Sequence, residues 1–313
     1  MSDSGAERKK VLVTGSGGML GSELVNVLAE AYDVTGLDIA GKGGSGRAGF
    51  IKCDVTDREA AAGAVSGSKP DVIIHAAAWT DVDGCELDAA KAGLINAEGA
   101  GNVAAAAAAG DVPLVYVSTD FVFDGEKREP YTHLDAPNPG SVYARTKLEG
   151  EKRVSSLRRH VIVRTSWLYG RNGKNFVDTI TEKALKEKEL KVVSDQVGSP
   201  TYAVDLARAI EAILKAMGTW RRRREDADKW GIYHVSNRGT VSWYEYAKRI
   251  LELSGIHGVR VTAISTEELK RPAPRPRFSG LDTSRFEDET GFVLRGWDEA
   301  LKEYIDAKTG NKG

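Results

Sequence analysis

Cysteine is scarce in this chain: Cys53 and Cys85 are the two among 313 residues, and no CxxC spacing frames them. That usage argues against a disulfide scaffold or a thiolate zinc site and predicts two reduced, packed thiols. Net charge is small as well, −1 at pH 7, so no basic footprint for nucleic acid is expected. No apolar run approaches the roughly 18–20 residues that cross a membrane. The first ten residues are polar and lack the apolar centre of a signal peptide. His75, His133, His160, His234 and His257 show no metal-ligand spacing and read as structural or surface residues. These absences predict a soluble cytoplasmic protein with no nucleic-acid or membrane partner. Anions can still be held by helix N-termini and single basic residues.

The length suits one doubly wound domain plus a smaller one. Short β-rich runs at 10–14, 34–39, 50–52, 71–75, 114–118 and 160–164 alternate with helical stretches. A helix over 22–32 carries Leu24, Val25, Leu28 and Ala31 at helical spacing. Thr56 is expected to cap a helix reaching Gly67. An alanine-rich helix covers 96–109, where small side chains permit close packing on a sheet. Repeated βα units mean a parallel sheet with helices on both faces. Beyond Ser166 the pattern loosens. Helices are expected at 175–188, 204–217 and 243–254, a strand at 231–235 and a loop at 195–201. The segment 271–276 is broken by prolines and leads to a helix cap at 281–284. The basic run 221–224 reads as a solvated turn.

Gly15-Ser16-Gly17-Gly18-Met19-Leu20-Gly21 directly follows the first strand and opens the first helix. In the frame Gly15, Gly18, Gly21 the first glycine permits a tight turn. The second lets backbone amides approach a pyrophosphate, and the third lets helix pack on strand. Met19 and Leu20 lie in the same cofactor turn. Asp38 ends the second strand about twenty residues on, where a carboxylate takes ribose hydroxyls and disfavours a 2′-phosphate. That favours NADH; Lys42 and Arg47 just beyond it pull toward NADPH. A plain turn residue is the alternative for Asp38. Asp54 and Val55 end the third strand within reach of adenine. Ala76, Ala77 and Ala78 are small where a cofactor crosses strand ends. The fold class is therefore α/β: a Rossmann-like doubly wound parallel sheet, with a smaller C-terminal α/β lobe. The cofactor domain is placed at 1–168, with 197–236 returning to it. The substrate lobe is placed at 169–196 and 237–313.

Open α/β sheets bind ligands outside the carboxyl ends of their strands. Thr119 falls there, after the fifth strand. Tyr143 and Lys147 begin the next helix, one turn apart on one face. Hydride moves from a nicotinamide to a carbonyl while Tyr143 supplies the proton and Thr119 orients the carbonyl oxygen. Lys147 is expected to lower the phenol pKa by its charge and to hold the nicotinamide ribose.

On these motifs the chain resembles the extended short-chain dehydrogenase/reductases and, among them, the dTDP-4-dehydrorhamnose reductases. The resemblance covers almost the whole chain. It is carried by the Gly15 turn, STDFVFDG at 118–125, YARTK at 143–147, RTSWLYG at 164–170, DQVGSPT at 195–201 and RPRFSGLD at 275–282. It implies NAD(P)H-dependent reduction of the 4-keto group of dTDP-4-dehydro-L-rhamnose, with Thr119, Tyr143 and Lys147 as the catalytic set. It sets Trp167 against the deoxysugar ring, the alternative being a core tryptophan. It makes Asp120, Asn175 and Gln196 substrate or loop contacts. Arg275 becomes a diphosphate ligand, or else a charged residue of a proline-rich loop. Some members bridge a dimer with magnesium through glutamates. Glu23 matches the first of these, but Val204 stands at a second, so no metal site is predicted. A homodimer stays open.

Three alternatives are weighed beside that one. A nucleotide-sugar 4,6-dehydratase needs an Asp-Glu pair after the strand-five threonine, and here Asp120 is followed by Phe121. A 4-epimerase, which keeps its cofactor bound, is not distinguished by sequence. A non-catalytic subunit, like the regulatory β-subunit of methionine adenosyltransferase, shares the tail motif but differs where Thr119 and Trp167 stand.

Overall fold

The computed structural model describes residues 8–40, 48–220 and 229–310. The chain opens with β1 (Lys10–Thr14), α1 (Met19–Leu28), β2 (Asp33–Asp38), β3 (Gly49–Lys52), α2 (Arg58–Ser68) and β4 (Val72–His75). Next come α3 (Val82–Leu87), α4 (Ala89–Gly93), a π-helical turn (Leu94–Glu98), α5 (Gly99–Ala109) and β5 (Leu114–Thr119). A 3-10 turn (Asp120–Val122) leads toward α6 (Val142–Ser155) and β6 (His160–Thr165). The rest contains β7 (Leu168–Tyr169), α7 (Phe176–Ala184), β8 (Glu189–Val193), β9 (Val197–Gly198), β10 (Thr201–Tyr202) and α8 (Ala203–Trp220). It closes with β11 (Gly231–His234), β12 (Val241–Ser242), α9 (Trp243–Leu253), β13 (Arg260–Ile264), α10 (Thr266–Leu269), α11 (Ser284–Thr290) and α12 (Trp297–Thr309).

Seven strands form one parallel sheet in the order β11-β6-β5-β4-β1-β2-β3. The order reverses between β1 and β4, which creates the crevice where doubly wound sheets take ligands. Valine and isoleucine runs suit this position because the sheet is covered on both faces. On one face Leu24, Leu28, Leu206, Ile210 and Ile213 of α1 and α8 pack on Val11, Val13 and Ile74. On the other, Val65, Val103, Ala104 and Ala107 of α2 and α5 pack on Leu12, Ile73 and Tyr116. A third core lies beyond β6, around Tyr169, Ile180, Leu190, Tyr246, Leu301 and Tyr304.

Several expected elements differ. Asp57, not Thr56, caps α2, accepting from the amides of Glu59 and Ala60 at 3.0 Å. Thr56 instead donates its hydroxyl to Asp54 at 2.8 Å. The first half-turn of the expected 96–109 helix is π-helical. Helix α7 stops at Ala184, four residues early, and the chain turns into β8. The loop at 195–201 contributes the two-residue strands β9 and β10. Lys42, Arg47 and the basic run 221–224 lie outside the described residues. Among the described residues no helix is long and apolar enough to cross a membrane.

Candidate active site

Two glycines of the β1–α1 turn tolerate nothing larger. Gly15 has φ +69°, and a Cβ there would lie 2.7 Å from the backbone nitrogen and Cα of Ala77. A Cβ on Gly21 would lie 1.9 Å from the carbonyl oxygen of Gly15. The turn is thus pressed against Ala76 and Ala77 on one side and α1 on the other. Gly18 caps α1 without a side-chain acceptor, and the first turn of that helix carries no acidic residue. Its amide dipoles are left to attract a phosphate group, so the turn fits a dinucleotide.

The neighbouring predicted residues divide into backbone and side-chain contributors. Leu20 is buried in the first core and Val55 in the second. Met19 reaches across to the segment holding Gly170 and Gly173. Asp38 accepts from the amides of Gly17 and Ala40, both at 3.0 Å, and so ties the glycine turn to the end of β2. Asp54 closes its own turn by accepting from the amide of Thr56 at 2.9 Å. Ala76, Ala77 and Ala78 follow β4 directly, half-buried.

Thr119 ends β5, and the 3-10 turn carries Asp120 away from it. Ser141 caps α6 by accepting from the amide of Ala144 at 3.2 Å, which sets Tyr143 in the first turn. Thr119, Tyr143 and Lys147 are all buried. The Lys147 Nζ donates to the carbonyl of Val117 at 2.7 Å and lies 4.1 Å over the Tyr116 ring. Burial pulls its pKa down to about 7, opposed by the charge of Glu151. The Tyr143 ring meets Phe121 edge-on at 5.9 Å.

Burial raises the Tyr143 phenol above its ordinary value; Asp120 and Cys85 add to this, and a hydrogen bond with Thr119 opposes it. The expected depression by Lys147 is therefore not the direction found. The reason is desolvation, which disfavours phenolate. A phenol held neutral is a proton donor, which suits reduction of a carbonyl. Thr119 also donates to Asp120 Oδ1 at 3.1 Å and accepts from the Phe121 amide at 3.2 Å. Burial pushes Asp120 up to about 7 against hydrogen bonds from Ser279, Thr119 and the Phe121 amide. Its Oδ2 is buried with no partner.

Trp167 stands at φ +44°, uncommon for a side chain of its size, and stacks on Trp243 at 3.4 Å between centroids and 6° between planes. A Cβ on Gly198 would meet both the indole, at 2.5 Å, and the Ser279 hydroxyl, at 2.8 Å. Trp167 thus adjoins Ser279, which is near enough to Asp120 to lower its pKa, and Asp120 in turn accepts from Thr119.

Three other predicted contacts are engaged elsewhere. Asn175 caps α7, accepting from the Asp178 amide at 2.9 Å and donating to Gly170 and Tyr304. Gln196 donates to the Thr266 hydroxyl at 3.0 Å. Arg275 donates to Asp83 at 3.0 Å and to the Ala273 carbonyl at 2.8 Å. Burial works to raise the Asp83 carboxyl, but Arg275, the Ala273 amide and Arg271 hold it below the ordinary range. The sequence reading did not single out Ser279, Trp243 or Asp83. It also passed over Glu151, whose place one helical turn beyond Lys147 was the available signal.

A Rossmann-like sheet with a dinucleotide turn at its first strand and a Thr-Tyr-Lys set beyond its fifth defines an oxidoreductase of the extended short-chain class. The family described as the RmlD substrate binding domain matches residues 9–309, and the chain belongs to it. A spore coat polysaccharide biosynthesis protein of Bacillus subtilis (strain 168) is 38% identical, over 96% of this chain and 98% of its own. A crystal structure of a dTDP-4-dehydrorhamnose reductase from Clostridium acetobutylicum is 42% identical with a TM-score of 0.85, covering 96% of this chain and 99% of that one. The dTDP-4-dehydrorhamnose reductase of Bacillus anthracis, solved in complex with NADP, is 35% identical with a TM-score of 0.85 over the same shares.

Proposed function

We propose that this protein reduces the 4-keto group of dTDP-4-dehydro-L-rhamnose to give dTDP-L-rhamnose, using NADH or NADPH. The observation that carries the reading is the burial of Thr119, at the carboxyl end of β5, beside Tyr143 and Lys147, which lie one turn apart on α6. The names of relatives alike over nearly the full chain support the substrate. Gly15, Gly18 and Gly21 would hold the dinucleotide, with Asp38, Asp54 and Ala76–Ala78 along its path. The nicotinamide supplies hydride when bound.

The remaining chemistry belongs to the chain. Thr119 bonds the carbonyl oxygen and fixes its direction. Tyr143 delivers the proton to that oxygen as negative charge develops on it. Lys147 places a cation behind the phenol and opposes the charge left there. Asp120 offers its unpartnered oxygen to a sugar hydroxyl, and Trp167 offers an aromatic surface to the ring. Arg275 exchanges Asp83 for the diphosphate. The lobe of 169–196 and the chain from 237 onward binds the sugar nucleotide; the remainder binds the cofactor.

The test follows nicotinamide absorbance with dTDP-4-dehydro-L-rhamnose generated in situ. Wild type is expected to turn over, and Tyr143→Phe to lose turnover while still binding cofactor. A folded, cofactor-binding wild type without turnover on this keto-sugar overturns the assignment.

A further inference from the structure

Behind the Thr-Tyr-Lys set lies a second group of buried charges with no part in the mechanism above. Glu151 follows Lys147 by one turn of α6, on the same helix face. Its carboxylate accepts from the Arg164 Nε at 3.0 Å and Nη2 at 2.7 Å, a two-pronged ion pair reaching from α6 to β6. The Ser118 hydroxyl, next to Thr119, donates to the same carboxylate at 2.5 Å. The Glu151 and Arg164 side chains are 4% and 1% exposed. The third Arg164 nitrogen, Nη1, is buried without a partner. As a fastener this pair is unusually costly, since both ions leave water and one donor goes unmet.

The surroundings of Lys147 show what else the pair does. From β5 the Tyr116 ring and the Val117 carbonyl face the ammonium. From β4, His75 lies close enough to feel its charge, and burial keeps that imidazole neutral, with a pKa of about 3. From α6 come Tyr143, neutral by burial, and Glu151. Arg164 stands on β6 beyond Glu151, and Asp120 in the 3-10 turn acts on Tyr143. Glu151 alone raises the affinity of Lys147 for its proton, against desolvation.

We propose that Glu151, held by Ser118 and Arg164, is a positioning residue that keeps Lys147 in its ammonium form during the reaction. This rests on Lys147 serving the reduction as described above. Glu151 touches no reacting atom and acts through the lysine. With Glu151 ionised, the burden of two buried cations, Lys147 and Arg164, is shared by one anion. Removing the anion leaves two like charges in a low-dielectric space, and Lys147, which can lose its proton where Arg164 cannot, yields first.

The test is the pH dependence of turnover for wild type, Glu151→Gln, Arg164→Gln, Ser118→Ala and Lys147→Met. Activity that needs the ammonium falls as pH rises through the lysine pKa. Glu151→Gln is expected to move this alkaline limb down by about one pH unit or more, a tenfold loss on the limb that is recovered at lower pH. Arg164→Gln removes the competing cation and moves the limb up. Ser118→Ala weakens the anion without breaking the ion pair and moves it down by less. It carries the test if Glu151→Gln does not fold. A purely structural role predicts turnover lowered equally at every pH, with the limb unmoved in all three; that result overturns the inference. Full turnover in Lys147→Met would instead overturn the catalytic reading on which it stands.

Discussion

Two of the arginine–carboxylate pairs among the described residues, one buried and one partly buried, stand in different settings. Glu151–Arg164 ties α6 to β6 beside a third ion, Lys147, and leaves a guanidinium nitrogen without a hydrogen-bond acceptor. Asp205–Arg295 joins the start of α8 to the chain just before α12, with bonds at 2.8 and 3.0 Å. There Asn237 donates to Asp205 at 2.8 Å, and Glu303 takes the remaining arm of Arg295. The second network is closed: each member's need is met by another, and what it does is hold elements together. The first is open toward a lysine that titrates. Polar groups at the strand ends act on their neighbours' ionisation, and those of the second lobe act on their neighbours' position. Damage to the first should appear in rates and pH profiles, and damage to the second in stability.

The largest effect expected from breaking that contrast is at Tyr143. Tyr143→Phe should lower turnover about 10²- to 10⁴-fold, the range for loss of a general acid, with little change in melting temperature. Steady-state kinetics beside thermal melting checks it; a melt lowered in step with activity would move Tyr143 to the structural side. Arg295→Gln should do the reverse. It leaves Asp205 buried with Asn237 alone and should cost about 3 kcal/mol of stability. Turnover per folded molecule should be unchanged, as measured by denaturant unfolding and by activity normalised to folded protein.

The first region was legible in the sequence because its constraints are local. Only glycine fits φ +69° beside Ala77, and only glycine fits 1.9 Å from the Gly15 carbonyl. The Tyr143–Lys147 spacing is a property of any helix. Valine and isoleucine runs marked the central strands β1, β4, β5 and β6 of the sheet. The second lobe was harder because its constraints are distant. Strands β8 and β13 pair Glu189 with Arg260 and Val193 with Ile264, about seventy residues apart, and neither run is wholly apolar. The two-residue strands have no local signal at all. Asn175 shows the limit: an asparagine before a helix is equally good as a cap and as a ligand for a sugar. Thr56 and Asp57 are adjacent capping residues, and what decides between them is that Asp54 already engages Thr56.

Asp120 sharpens the contrast through pH. In the folded chain burial raises its carboxyl to about 7, whereas an exposed aspartate has a pKa of 3.8. Between these values the unfolded chain ionises first and the folded chain keeps its proton. Stability therefore falls as pH rises from about 4 to about 7 and then levels off. Asp120→Asn removes this penalty. The variant should exceed wild type by about 4 kcal/mol at pH 8, with the gain gone by about pH 4. Melting temperatures of both proteins across that range decide it; a difference independent of pH would show that Asp120 is not titrating.

The smallest effect expected is at Asn175, where the two regions' logics compete directly. Its Oδ1 satisfies the Asp178 amide, and its Nδ2 reaches Gly170 and the Tyr304 hydroxyl, which in turn bonds Asp178. Those partners give the amide a mechanical task, ending one helix and tying it to another. Asn175→Ala should cost about 1 kcal/mol, the usual loss for a helix cap. KM for the keto-sugar should stay within about twofold, because a residue that fixes a helix end contributes little uniform binding. An order-of-magnitude rise in KM with an unchanged melt would reverse the assignment. It would place Asn175 with Asp120 and Trp167 on the substrate, and its bonds to Gly170 and Tyr304 would then be what aims the amide at the sugar.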